Sequence, residues 1–227
     1  MKKLLFLLIF CLTTTITIGQ SVVYDTIQYA KKYHQKRLTL FKSEPIVKGK
    51  TIFLGDSNTE FADWQKLLND ATVINRGIAG DNTFGVLARL DDVINREPEK
   101  LFIKIGINDI SQNIPTDIIV KNITAIIQKV KVKSPSTKIY VHSILPTNDN
   151  VKNEYPAAYN KNNIVSSVNS QIQKLSAKYN VTYVDINKIF SDKYGKLDLK
   201  YATPDGLHLN ELGYKTWVEF LRKNKYL

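Results

Sequence analysis

Five short β-rich runs separated by helix-length stretches constrain this chain more than any other feature. They are TIFLG (51–55), TVINR (72–76), KLFIKIG (100–106), KIYVHSIL (138–145) and VTYVDI (181–186). Amphipathic segments lie near 59–70, 83–95, 116–133, 160–180 and 211–225. Parallel neighbours cannot be joined by a tight hairpin, so strands spaced by helical crossovers predict a parallel sheet with helices on both faces. The expected fold class is a three-layer, doubly wound α/β domain. A chain of 227 residues can give one such domain a full core. No repeat, linker or low-complexity tract divides it. The longest irregular piece, PTNDNVKNEYPAAYN (146–160), reads as too polar for the core and longer than an ordinary connection.

Ahead of the first strand, MKKLLFLLIFCLTTTITIGQ has two lysines, an apolar run and then small polar residues. This is the layout of a secretory signal, and the run is too short and too interrupted by threonines to span a membrane comfortably. Residues 1–19 are therefore expected to direct export to the periplasm or beyond, leaving 20–227 as a single domain with no stable membrane insertion once the signal is removed. Bulky Phe10 stands where lipid attachment at Cys11 would want a small residue, so no lipid anchor is expected. Cys11 is the chain's one cysteine, and its loss with the signal leaves packing alone to hold the fold. Within 20–46, Val23, Ile27, Ala30 and Leu38 fall at helical spacing and predict a leading helix on the outside of the domain.

The formal net charge is +11, or +9 once Lys2 and Lys3 are gone (11 − 2). The lysines are dispersed, without an arginine-rich or aromatic-interleaved tract, so they read as solvated helix faces and no nucleic-acid partner is expected. Oligomeric state is not legible.

In an open parallel sheet the strand C-termini form one rim, and ligands bind there. Strand one ends in Gly55-Asp56-Ser57-Asn58, strand two runs into NRGIAGDN (75–82), and strand three into GIND (106–109). A serine hydroxyl needs a base, and the usual base is histidine. The chain has three. His34 stands among lysines and reads as a surface residue. His142 lies inside a strand and reads as a core histidine. His208 follows Asp205 by three positions in TPDGLHLNELGY (203–214), a spacing that lets the carboxylate hold Nδ1–H while Nε2 faces the serine. In isolation such a pair serves equally well as ordinary turn residues at a helix entry.

As a set, these four blocks resemble the SGNH or GDSL family of serine esterases. The correspondence runs through Gly55-Asp56-Ser57, GIAGD, Gly106-Ile107-Asn108-Asp109 and Asp205 to His208, and covers the chain from about residue 50 onward. NRGIAGDNTFGVLARL and HSILPTN are most similar to the branch of platelet-activating-factor acetylhydrolase catalytic subunits and bacterial carbohydrate acetylesterases. The resemblance implies a flavodoxin-like sheet of order 2-1-3-4-5. It also implies roles: Ser57 as nucleophile, His208 as base and then acid, Asp205 orienting the imidazole. The oxyanion would meet the N–H groups of Ser57 and Gly80 and the amide of Asn108. Gly80 is preferred to Gly77 because the family's donor is the glycine directly before the aspartate.

Ser57 at a helix start is expected to gain further, because unpaired N–H groups and the helix dipole favour negative charge nearby. The expected substrate is a short acyl ester, above all acetyl on carbohydrate. Asn58, Trp64, Phe84, Tyr155 and Tyr159 are the candidate substrate contacts, with Asn58 making the pocket edge more polar. The loop 146–160 and the segment 81–86 are expected to select the alcohol. Neither HExxH nor a clustered Cys/His pattern occurs, and no metal or cofactor is expected. A GxSxG elbow is absent as well, since Thr59 stands two after Ser57. Competing expectations are a lipase, lysophospholipase or thioesterase of the same family, and a non-catalytic module that cradles an anion at GDSNT.

Overall fold

The computed structural model describes residues 30–227, so the expected signal at 1–19 and the stretch up to Tyr29 lie outside the described residues. Helix α1 (Lys31–Ser43) leads into β1 (Thr51–Gly55), then the short helices α2 (Ser57–Glu60) and α3 (Trp64–Leu68). Next come β2 (Ile74–Gly77), α4 (Thr83–Ile94), β3 (Lys100–Lys104), α5 (Ile107–Ser111) and α6 (Thr116–Lys133). The remainder is β4 (Lys138–His142), α7 (Val151–Glu154), α8 (Asn162–Lys178), β5 (Thr182–Val184), α9 (Asn187–Phe190) and α10 (Glu211–Lys223). The five strands form one parallel sheet of order β2-β1-β3-β4-β5, as the resemblance implied.

Alternation along each strand divides the core between the two faces. Ile52, Leu54, Leu101, Ile103, Ile139 and Val141 face α4, α6 and α8, which return Val86, Leu90, Ile123, Ile126, Val168 and Ile172. On the other face, register sets Phe53 beside Phe102 and Phe102 beside Tyr140. Their rings stack with centroids 4.7 and 4.6 Å apart, and Trp64 lies flat on Phe53 at 3.7 Å. Trp217 and Leu221 of α10 complete this aromatic layer.

Three expectations change. The segment 59–70 is not one helix: the Asp63 side chain accepts from Lys66 N–H and restarts the helix as α3. His34 is not a surface residue, because α1 turns Ala30, His34 and Phe41 inward. The loop 146–160 is not a polar excursion either. It holds α7 and a 3-10 turn at Pro156–Ala158, and buries Thr147, Asn148, Val151 and Ala158. Its polar groups are used: Thr147 N–H and C=O both meet the Asn162 amide, and Asn148 Nδ2 donates to Leu197 O. His142 is a core histidine, stacked on Phe102 and edge-on to Trp217; burial, with Lys104 nearby, pushes its pKa down to about 3, so it stays neutral.

Candidate active site

Gly55 closes β1, and Asp56 leaves the strand extended, its carboxylate accepting from Asn58 N–H at 3.0 Å to start α2. That turn puts Ser57 on the C-terminal rim. Helix α2 is a single turn, so of the two expected sources the field at Ser57 comes from local N–H groups and not from a long helix dipole. Behind it Asp56 forms a fully buried ion pair with Lys104 Nζ, 3.1 and 3.2 Å from its two oxygens.

The second arm is the loop between α9 and α10. Gly206 takes φ +72°, where a side chain would be strained, and a Cβ there would stand 2.3 Å from Asn148 Oδ1. Close packing of 146–160 against this turn fixes the pair that follows. His208 Nδ1 is 2.6 Å from Asp205 Oδ2, and His208 Nε2 is 2.8 Å from Ser57 Oγ. The other carboxylate oxygen accepts from Thr203 Oγ1, Leu207 N–H and His208 N–H at 2.7, 2.8 and 3.0 Å. Burial alone would raise the Asp205 pKa; the hydrogen bonds from His208, Leu207 and Thr203 outweigh it and hold the value at about 2. A depressed carboxyl stabilises the fold above its unfolded value and loses that contribution only as pH falls through about 2, so this bond persists throughout the neutral range.

The third arm is the turn after β2. Gly80 takes φ +80°, and its N–H has no hydrogen-bond partner among the described residues. Asn108 Nδ2 donates to Asp81 O at 2.8 Å, which leaves its second N–H for another acceptor. Ser57, Gly80, Asn108 and His208 all line one open cavity of about 420 Å³, completed by Ala30, Tyr33, Phe61, Ala79, Tyr155 and Leu207.

Of the expected substrate contacts only Tyr155 lies on this cavity. Trp64 is core, its Nε1 donating to Thr59 O at 2.8 Å. Phe84 packs against the aliphatic core, and Tyr159 is exposed away from the cavity. Asn58 is buried and spans to the histidine loop through Leu207 O and Leu209 N–H, so it supports the site and adds no polarity to its edge. The segment 81–86 does not reach the cavity: Asp81 binds Arg89 at 2.8 Å, and Asn82 caps α4.

Asp109 accepts from Thr83 N–H and Oγ1, and Asn122 donates on to Thr83 Oγ1. Burial dominates those bonds and, with Asp81 nearby, raises the Asp109 pKa to about 7. A carboxyl whose pKa rises on folding contributes less stability as pH climbs from its unfolded value of 3.8 through about 7. The urea midpoint should therefore decline over that window through Asp109, and Asp109→Asn should flatten the decline. An unchanged slope in the variant would exclude this group as its source.

A model of the GDSL-like Lipase/Acylhydrolase family matches residues 53–216, from β1 through the start of α10. The chain belongs to that family. The acylhydrolase is 29% identical over 170 residues to rat platelet-activating factor acetylhydrolase IB subunit alpha2, covering 72% of this chain and 70% of the relative. A solved structure from Streptococcus pneumonia, named for platelet activating factor, superposes with a TM-score of 0.75 at 30% identity, covering 86% of this chain and 92% of that one. The acetyl xylan esterase AlAXEase shares the acylhydrolase's fold, with a TM-score of 0.62 at 20% identity over 77% of this chain and 98% of its own. The family places the acylhydrolase among ester hydrolases. The match begins after α1, so Ala30 and Tyr33 lie outside it.

Proposed function

We propose that this acylhydrolase is an exported serine esterase that removes short acyl groups, above all acetyl, from carbohydrate. The observation that carries the reading is the unbroken hydrogen-bond line from Asp205 through His208 to Ser57, opening on a cavity shared with Gly80 and Asn108. In this reading Ser57 Oγ attacks the ester carbonyl carbon as His208 Nε2 takes the hydroxyl proton. The carbonyl oxygen becomes the oxyanion and meets the N–H groups of Ser57 and Gly80 and the free N–H of Asn108. As the tetrahedral centre collapses, the bond to the alcohol oxygen breaks and His208 returns the proton to it. Water repeats the sequence on the acyl-serine and releases the carboxylic acid, while Asp205 stays ionised and holds Nδ1–H.

The acetyl preference draws on a cavity of about 420 Å³ at the triad and on two similar proteins whose names carry acetyl esters. Phe61, exposed on the imidazole side of the cavity, suits the flat face of a sugar. Export rests on the pattern of residues 1–19.

The test is acetate release from acetylated xylan, pectin, sialic acid and peptidoglycan fragments, run beside an acetylated phospholipid and p-nitrophenyl esters from acetate to octanoate. Release from one of the glycans, with acetate preferred over octanoate, is the expected result. Octanoate preferred over acetate, or release from the phospholipid alone, would overturn the carbohydrate acetylesterase reading. Asn108→Ala should lower kcat on the order of a hundred- to a thousandfold with little change in KM, the effect of deleting one oxyanion donor. Thermal midpoints measured alongside separate this from loss of the bond to Asp81 O. A kcat within a few-fold of wild type would remove Asn108 from the oxyanion site.

A further inference from the structure

The reaction geometry divides the cavity into two sides. The leaving oxygen must reach His208 Nε2 to be protonated, so the alcohol lies on the imidazole side. Phe61 and Tyr155 flank the imidazole there, with ring centroids 5.0 and 5.6 Å from it. The acyl substituent occupies the remaining sector, beside Gly80, which is walled by Ala79, Ala30 and Tyr33. Two of those four come from the turn after β2. The other two come from the start of α1, outside the stretch 53–216 that the family shares.

This wall is close and fixed. A Cβ built on Gly80 would stand 2.8 Å from the Ala30 Cβ, so Ala30 packs directly against that glycine. Glu60 ties the helix to the site: it accepts from the Tyr33 hydroxyl and from Ala79 N–H, and pairs with Arg37 Nε at 3.1 Å. One turn along, His34 Nε2 lies 3.3 Å from Asp81 Oδ1, which is itself held by Arg89. Phe41 is enclosed by the guanidinium groups of Arg37, Arg76 and Arg89 at 4.9, 4.3 and 6.0 Å. The helix is thus pinned on both sides of Gly80.

We infer that the start of α1 sets acyl chain length: Ala30 and Tyr33 form the end wall of the acyl site, admitting acetyl and excluding longer chains. This inference rests on the esterase reading above. Each methylene accommodated or refused in an apolar pocket changes discrimination by roughly 10- to 200-fold, so removing a ring from that wall should be plainly visible.

The experiment is kcat/KM for p-nitrophenyl acetate, propionate, butyrate and octanoate in the full exported chain. Ratios between esters in one preparation cancel differences in the fraction of active protein. Tyr33→Ala should raise the butyrate-to-acetate ratio by roughly tenfold or more. Tyr33→Phe keeps the ring and should retain the wild-type ratio. Ala30→Gly deletes one methyl group and should raise propionate relative to acetate, which tests the wall even if Tyr33→Ala fails to fold. Phe61→Ala alters the alcohol side and should leave the acyl ratios as in wild type. Ratios unchanged in both Tyr33→Ala and Ala30→Gly, or shifted as much by Phe61→Ala, would overturn the inference. A wild-type protein that hydrolyses none of the esters would instead overturn the esterase reading.

Discussion

Replacing His208 with alanine should abolish turnover of p-nitrophenyl acetate to within the residual activity of the oxyanion site, a loss on the order of 10⁴- to 10⁶-fold in kcat. Among the described residues the imidazole is the one group within hydrogen-bond distance of Ser57 Oγ that can accept its proton, at 2.8 Å. Without it the hydroxyl remains a poor nucleophile and the departing alkoxide has no acid. Since the two act as one unit, His208→Ala and Ser57→Ala should be equally inactive, and the double variant no worse than either. KM should change little in each, because the walls of the cavity remain. A His208→Ala protein retaining more than about a hundredth of wild-type kcat would contradict the role given to the base.

The second large effect is on stability. Lys104 is buried on a central strand with its Nζ held by both oxygens of Asp56. Truncating one member of such a pair leaves an uncompensated buried charge and typically costs about 3–5 kcal/mol. Lys104→Met should therefore destabilise the fold by that order, read as a drop in urea midpoint. Asp56→Asn in the same background should recover much of it, since the amide oxygen can still accept from Asn58 N–H and no charge is left unpaired. Destabilisation by Lys104→Met of less than about 1 kcal/mol would show that the pair contributes little to holding Ser57 in place. Nothing in the GDS block of the sequence points to Lys104. The available signal is a lysine inside the apolar run KLFIKIG, where a buried cation needs a partner.

What was legible follows from periodicity and chain order. The β-rich runs 51–55, 100–106 and 138–145 predict strands, and they are largely apolar because successive residues face one or the other of two covered layers. Three polar blocks at the ends of β1, β2 and β3 meet because a parallel sheet brings those ends to one rim, and the fourth, 205–208, reaches it on the loop between α9 and α10. Side-chain direction in the connecting segments was not legible. Read as one helix over 59–70, Phe61 and Trp64 would share a face. The Asp63 cap restarts the helix between them, so Trp64 goes into the core while Phe61 stays 53% exposed at the cavity mouth.

His34 failed for a different reason: the neighbouring lysines suggested solvent. Yet Ala30, His34, Arg37 and Phe41 recur at helical spacing and mark the inward stripe that faces Gly80, Asp81 and the Glu60 carboxylate. The loop 146–160 was misread because composition counts polar atoms and cannot tell which of them find partners. Asn148 and Thr147 are buried with theirs satisfied, and Asn148 N–H donates to Gly206 O in the turn that presents His208.

Covalent labelling with a fluorophosphonate, followed by peptide mass spectrometry, tests the central claim most directly. An adduct on Ser57, formed in step with loss of esterase activity and absent from the His208→Ala protein, is the expected result. Full inactivation with the adduct on another residue, or esterase turnover persisting in protein already labelled at Ser57, would contradict it.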